Sequence, residues 1–217
     1  MADTIYDVRL QNASVITVSG PSQSGKTTLV EKMVRLREDL FHDPISSVQW
    51  FCSHPPKERL DGVKYTVGVP SNILDQIEPH SLVIIDDFMN ELSNSKELTA
   101  IMTKHVHHLP MTLIYITQNL FDKSNDTKTR RMSTNYLIVF KNPHDKSQID
   151  YIGRQMYPVD NLFLSKAFEK CTMHTPHGYI FIDCCQDTAD ILRVRTNIFG
   201  GDNPISVYVP NSIQLSI

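Results

Sequence analysis

The chain has 217 residues, 41% hydrophobic and 21% charged, with 21 Lys and Arg against 24 Asp and Glu for a net charge of −3. This composition excludes a disordered or fibrous chain, and at roughly 100–200 residues per domain the length allows one domain with additions or two small ones. A pI near 6.3 excludes a strongly basic nucleic-acid-binding module but is compatible with a local basic groove.

The four cysteines, Cys52, Cys171, Cys184 and Cys185, form no C-x-x-C pair. A reduced, intracellular protein without disulfides is expected. The opening residues have no basic stretch followed by an apolar core, so no signal peptide is expected. No apolar run approaches the roughly 20 residues of a membrane span, which excludes an integral membrane role.

Ser14 to Val18 is β-branched and stopped by Gly20-Pro21, which predicts a strand. From Lys26 to Phe41 the apolar residues Leu29, Val30, Met33 and Leu36 recur at helical spacing. Ser47 to Cys52 reads as a second strand. Ser53 to Pro70, with Pro55-Pro56 and Asp61-Gly62, reads as mostly loop. A short helix is expected from Asn72 to Ile77, capped by Ser71. Leu82-Val83-Ile84-Ile85 is a continuous apolar run, as in parallel strands buried between helix layers, and it ends in Asp86-Asp87.

Phe88 to His107 is expected to be helical in two pieces, and Thr112 to Thr117 is a strand closed by Gln118-Asn119. Phe121 to Arg131 reads as a polar segment, followed by a strand from Tyr136 to Phe140. Asp145 to Met156 and Asn161 to Cys171 read as helices. Tyr179 to Asp183 and Leu192 to Ile198 read as a closing strand pair, with a loose strand beyond the Gly200–Pro204 turn. The alternation predicts an α/β fold built on an open sheet, with ligands at the carboxyl ends of the strands. With no repeat and no linker, a single domain over residues 1–217 is expected. Its core lies in about 10–160 and a C-terminal helix-and-strand addition in about 161–217.

Gly20-Pro21-Ser22-Gln23-Ser24-Gly25-Lys26-Thr27 fits the phosphate-loop pattern G-x-x-x-x-G-K-[ST], placed between a strand and a helix as that motif requires. Gly20 to Thr28 would cradle the phosphates of ATP with backbone N–H groups. Lys26 would meet the β- and γ-phosphates, and Thr27 would offer its hydroxyl to Mg²⁺. Asp86, ending the apolar run, is the second Mg²⁺ partner in this reading. Asp87 reads as the base that deprotonates the attacking water, as a cap on the following helix, or as both at once. Gln118, at the end of a neighbouring strand, either contacts the γ-phosphate and the water or satisfies a backbone group there.

Arg130 and Arg131 read as an arginine finger for a neighbouring subunit or as a solvated basic turn. His105, His107 and His108 lie at a helix–strand connection, without a Cys or acid at ligand spacing, and read as structural or interfacial rather than metal-binding. The sequon Asn125-Asp126-Thr127 carries no meaning in an intracellular chain.

Five stretches together resemble the viral genome-packaging ATPases of the FtsK–HerA superfamily. They are Ile16 to Pro21 leading into the phosphate loop, Val48 to Cys52, Leu82 to Met89, Ile114 to Phe121 and Phe140 to Gln148. His177-Gly178-Tyr179 to Asp183 and Leu192 to Asn197 fit as well, so the resemblance covers nearly the whole chain. Within the superfamily the chain is most similar to the Maverick/Polinton-type and adintovirus-like branch, relatives of the poxvirus and adenovirus packaging enzymes.

The resemblance implies a P-loop NTPase with a RecA-like (ASCE) core, a mostly parallel five-stranded sheet of order 5-1-4-3-2 and added C-terminal strands. It also implies a homo-oligomeric ring, pentameric or hexameric, that hydrolyses ATP with Mg²⁺ to move double-stranded DNA into a capsid. Capsid or portal-vertex proteins would be its partners, in the host cytoplasm or nucleus or on the virion. It assigns Lys26 and Thr27 to phosphate and Mg²⁺, Asp86 to Mg²⁺, Asp87 to the catalytic base and Gln118 to sensing the γ-phosphate. The superfamily usually has Glu where Asp87 stands, and the shorter side chain requires the water to sit closer or to be held through another group.

Two other functions use the same loop. A nucleotide or small-molecule kinase needs an arginine-bearing lid, whereas Asp122 to Arg131 is short and carries acids. A non-hydrolysing scaffold has no need of the full set of Lys26, Thr27, Asp86, Asp87 and Gln118. The guanine-reading Asn-Lys-x-Asp and the transporter Leu-Ser-Gly-Gly-Gln motifs are absent.

Overall fold

Continuous apolar segments make the centre of the protein a sheet whose two faces are both covered. The computed structural model describes residues 6–56, 58–68, 73–86, 96–121, 127–173, 175–200 and 204–211. Its strands are β1 (Val15–Ser19), β2 (Val48–Cys52), β3 (Val63–Val67), β4 (Leu82–Asp86), β5 (Thr112–Thr117), β6 (Tyr136–Phe140), β7 (Tyr179–Asp183), β8 (Val194–Thr196) and β9 (Ser206–Tyr208). They form one nine-stranded sheet in the order β3-β2-β4-β5-β1-β6-β7-β8-β9. Strands β3 to β6 of that order pair in parallel, and β7, β8 and β9 are added antiparallel.

The expected five-stranded core and the expected C-terminal strands thus join in one sheet, with one further strand at its edge. The closing strands foreseen from sequence are β7, β8 and β9, and the five core strands lie side by side as β6, β1, β5, β4 and β2. Beyond them β3 forms the parallel edge, in a stretch expected to be loop. Its residues are half-buried or exposed, so it lacks the unbroken apolar run that marks the central strands.

The helices are α1 (Lys26–Arg35), α2 (Arg37–Leu40), α3 (Ile73–Gln76), α4 (Lys96–Ala100), α5 (Val106–His108), α6 (Thr127–Met132), α7 (Ser147–Met156) and α8 (Phe163–Thr172). One π turn, Ile101–His105, joins α4 to α5. The long helix expected from Lys26 to Phe41 is interrupted at Leu36. Residues 88–95 of the helix expected after Asp87 lie outside the described residues.

Alternate side chains of the strands serve opposite layers. Ile16, Val18, Trp50, Ile84, Ile114, Ile138 and Phe140 pack with Val30, Met33 and Val34 of α1. On the other face Val15, Val83, Ile85 and Leu113 meet Leu98, Ile101, Met102 and Val106. Leu137, Val139, Ile180 and Ile182 meet Ile149, Ile152, Leu164 and Phe168 of α7 and α8. The C-terminal strands are held by a buried ion pair, Arg195 Nη2 to Asp183 Oδ2 at 2.9 Å, with the Arg195 guanidinium over the Phe181 ring. Among the described residues no helix is long and apolar enough to cross a membrane.

Candidate active site

The loop between β1 and α1 turns through two residues of left-handed backbone, Gln23 (φ 64°) and Gly25 (φ 99°). Gly25 suits this region because it carries no Cβ. The Gly20 N–H donates to the Thr117 carbonyl at 3.2 Å, which ties the start of the loop to β5, and Leu29 N–H donates to Gly25 O at 2.9 Å, closing the first turn of α1. No side chain among the described residues caps that helix, and its first turn has no acidic residue. Its N-terminal partial positive charge is thus available to an anion.

Lys26 is buried, with its ammonium donating to Gly20 O at 2.7 Å and Pro21 O at 2.8 Å. Ser24 Oγ is buried without a hydrogen-bond partner among the described residues, a costly arrangement unless a ligand completes it. Pro21 is half-buried, whereas Ser22, Thr27 and Thr28 are exposed. An ammonium, hydroxyls and an uncapped helix N-terminus without a carboxylate among them fit a polyphosphate. The hydroxyl of Thr27 and the carboxylate of Asp86 are the hard oxygen donors that a Mg²⁺ ion takes.

Strand register brings the remaining residues to one edge. Asp86 pairs with Ile116, Val18 with Ile116 and Ser19 with Thr117. The ends of β4, β5 and β1 are therefore level, and Asp86, Gln118 and Gly20 follow from adjacent strands. Gln118 lines a crevice with Ser19, Gly20, Asp145 and Gln148. Asp87 lies outside the described residues.

The stretch after β6 folds back onto this edge. Gln148 Nε2 donates to Asp145 Oδ2 at 2.8 Å and to Asn119 Oδ1 at 3.1 Å, and Asn119 Oδ1 also accepts from Phe121 N–H at 2.9 Å. The Ser147 hydroxyl and then the Gln148 amide hold the Asp145 carboxyl below its usual range.

A cleft of about 500 Å³ runs from the loop along α1, lined by Thr28, Lys32, Phe140, His177 and Tyr179. His177, on the turn between α8 and β7, has Nδ1 3.0 Å from Ser24 O.

The two arginines have different surroundings. The segment expected to be a polar stretch is helical in its second half, as α6, and consecutive helical residues point about 100° apart. Arg130 is 4% exposed and, together with Arg131, lines a small pocket with Thr17, Tyr115 and Leu137. Arg131 is half-buried, with its guanidinium 5.1 Å from the Phe121 ring centre and 5.0 Å from that of Tyr151. Arg130 is thus buried within the subunit, and Arg131 is the more exposed of the two. His108 is exposed, and the side chains of His105 and His107 lie outside the described residues. No group of three His, Cys, Asp or Glu gathers as a metal cluster among the described residues.

No family model matches the chain, and no curated protein sequence matches it. Solved structures do. The DNA-packaging ATPase of Sulfolobus turreted icosahedral virus aligns with a TM-score of 0.55 over 93% of this chain and 99% of its own, at 12% identity. The chain shares its mixed α/β fold, with a P-loop, RecA-like sheet. The genome-packaging NTPase of Sulfolobus turreted icosahedral virus 2 aligns as its sulfate complex with a TM-score of 0.55, 12% identity, 91% of this chain and 96% of its own. Its AMPPCP complex gives 0.53, 14%, 92% and 99%.

Proposed function

We propose that this chain is an ATP-hydrolysing motor that moves double-stranded DNA into a capsid, as a homo-oligomeric ring of single-domain subunits. The observation that supports it best is the pairing of the loop's donor set with the fold. Lys26, the buried Ser24 hydroxyl, without a partner among the described residues, and the open N-terminus of α1 form a polyphosphate cradle. They do so in a fold that matches a packaging ATPase along 93% of this chain.

In this reading the backbone of Gly20 to Thr28 holds the phosphates and the cleft beside Thr28 and Lys32 takes the nucleoside. Lys26 turns from the loop carbonyls to the β- and γ-phosphates. Thr27 and Asp86 hold Mg²⁺, which when bound offsets charge on the phosphates. Asp87 takes the proton of the water whose oxygen bonds to the γ-phosphorus while the bond to ADP breaks. Gln118 orients that water. Arg131, the more exposed arginine of α6, serves a neighbouring subunit.

The test is ATP turnover with and without linear duplex DNA, together with the mass of the assembly in solution. Turnover should rise with DNA and the assembly should exceed one subunit. Stimulation should weaken with salt, since each phosphate contact contributes a slope of about −0.9 in log–log terms. A monomer whose turnover ignores DNA would overturn the motor reading.

A further inference from the structure

We infer that His177 is a positioning residue for nucleotide binding, through which the turn between α8 and β7 clasps the phosphate loop. The inference rests on the proposed reading of that loop as the nucleotide site. It starts from two contacts between segments 153 residues apart. His177 Nδ1 lies 3.0 Å from the Ser24 carbonyl oxygen. A carbonyl only accepts, so Nδ1 carries the proton and donates. On the next residue, a Cβ at Gly25 would lie 3.3 Å from both Cβ and Nδ1 of His177. The imidazole thus packs directly on the left-handed turn of the loop.

The consequence follows from the planarity of the peptide. In a trans peptide the C=O and N–H vectors oppose one another. Anchoring the Ser24 carbonyl on His177 therefore turns the Gly25 N–H away from the histidine and holds it there. Backbone N–H groups are what such a loop offers to phosphate oxygens. Without the anchor the Ser24–Gly25 peptide can rotate, because Gly25 is permissive on one side of it and the neighbouring Gln23 is already in left-handed backbone.

The turn that carries His177 is itself braced. Gly178 N–H donates to Thr175 O at 3.1 Å and Lys141 N–H donates to Gly178 O at 3.2 Å, joining the turn to the end of β6. A Cβ on Gly178 would lie 2.7 Å from Cys171 O, Thr172 Cα and Thr175 Oγ1, so glycine alone lets the turn sit this close to α8. The turn that carries the imidazole is thus tied to both α8 and the end of β6.

The test is equilibrium binding of ATP and of inorganic tripolyphosphate to the full chain by calorimetry, with thermal melting of each variant. His177→Ala should bind both ligands about tenfold more weakly, the scale of one lost hydrogen bond. His177→Asn, whose amide can donate from near the place of Nδ1, should return binding to within about twofold of the parent. His177→Gln, whose amide reaches one bond further, should stay as weak as alanine.

Parental affinity in a folded His177→Ala, or Asn and Gln variants that bind alike, would overturn the inference. The Asn–Gln comparison decides the matter even where the alanine variant fails to fold. If the parent itself binds neither ligand, the reading of the loop falls and this inference with it. If the parent binds and the variants bind equally well, only the clasp falls.

Discussion

Gln148, in the first turn of α7, donates its amide to Asn119, the residue that follows Gln118 at the end of β5. The same amide reaches Asp145, so one side chain links the stretch after β6 to the strand end that carries the proposed sensor. Replacing Gln148 with Ala removes both bonds and leaves Asn119 held by its own turn, through Phe121 N–H and Thr117 Oγ1, without the tie to α7. We expect kcat to fall by about tenfold to a hundredfold through misplacement of Gln118, with ATP affinity unchanged. Steady-state kinetics with a direct binding measurement would show this split. A loss of affinity equal to the loss of rate would place Gln148 in binding instead.

Lys26→Ala should abolish ATP binding or turnover while leaving the fold intact. Its ammonium donates to the loop carbonyls of Gly20 and Pro21, so its removal takes away polar contacts of the loop rather than packing of the apolar core. Calorimetry and circular dichroism test the two halves of this expectation. Native turnover in the variant would end the phosphate-loop reading.

Asp87→Asn should bind ATP and hydrolyse it about 10²–10⁴ times more slowly, because an amide cannot accept the proton of water. Single-turnover measurements with radiolabelled ATP are suited to a rate this low. Unchanged hydrolysis would leave Asp87 as a helix cap.

Arg131→Ala should lower turnover by about 10³ if its guanidinium leaves Phe121 and Tyr151 to complete a neighbour's site. Activity per subunit should also rise with protein concentration. Mixing Arg131→Ala with Lys26→Ala protein should restore part of the turnover, since the second variant donates its arginine to the first one's intact loop. Absence of recovery in demonstrably mixed rings would count against a finger in trans.

Asp183→Ala should destabilise the protein by about 3–5 kcal/mol, the scale for breaking a buried ion pair. Arg195, 3% exposed, would keep a charge with no carboxylate opposite it, and burial already pushes its pKa down. Denaturant unfolding measures the change. A variant within about 1 kcal/mol of the parent would show that water or another group compensates Arg195.

The sequence alone carried the α/β alternation, the phosphate loop with its Lys26 and Thr27, and the position of Asp86 at a strand end. These are local signals: apolar periodicity tells strand from helix, and a loop built from adjacent residues needs no distant partner to be read. What it left undecided depended on which segments meet. Val63 to Val67 became an edge strand because β2 was beside it to pair with, not because its own pattern demanded one. Arg130 and Arg131 look alike in sequence and parted because α6 lies against the sheet with one face inward. His177 meets Ser24, and Gln148 meets Asn119, only after the sheet has set β1 between β5 and β6, bringing residues 153 and 29 positions apart into hydrogen-bond range. Sheet order is a global balance of burial on two faces, and no window of the chain contains it.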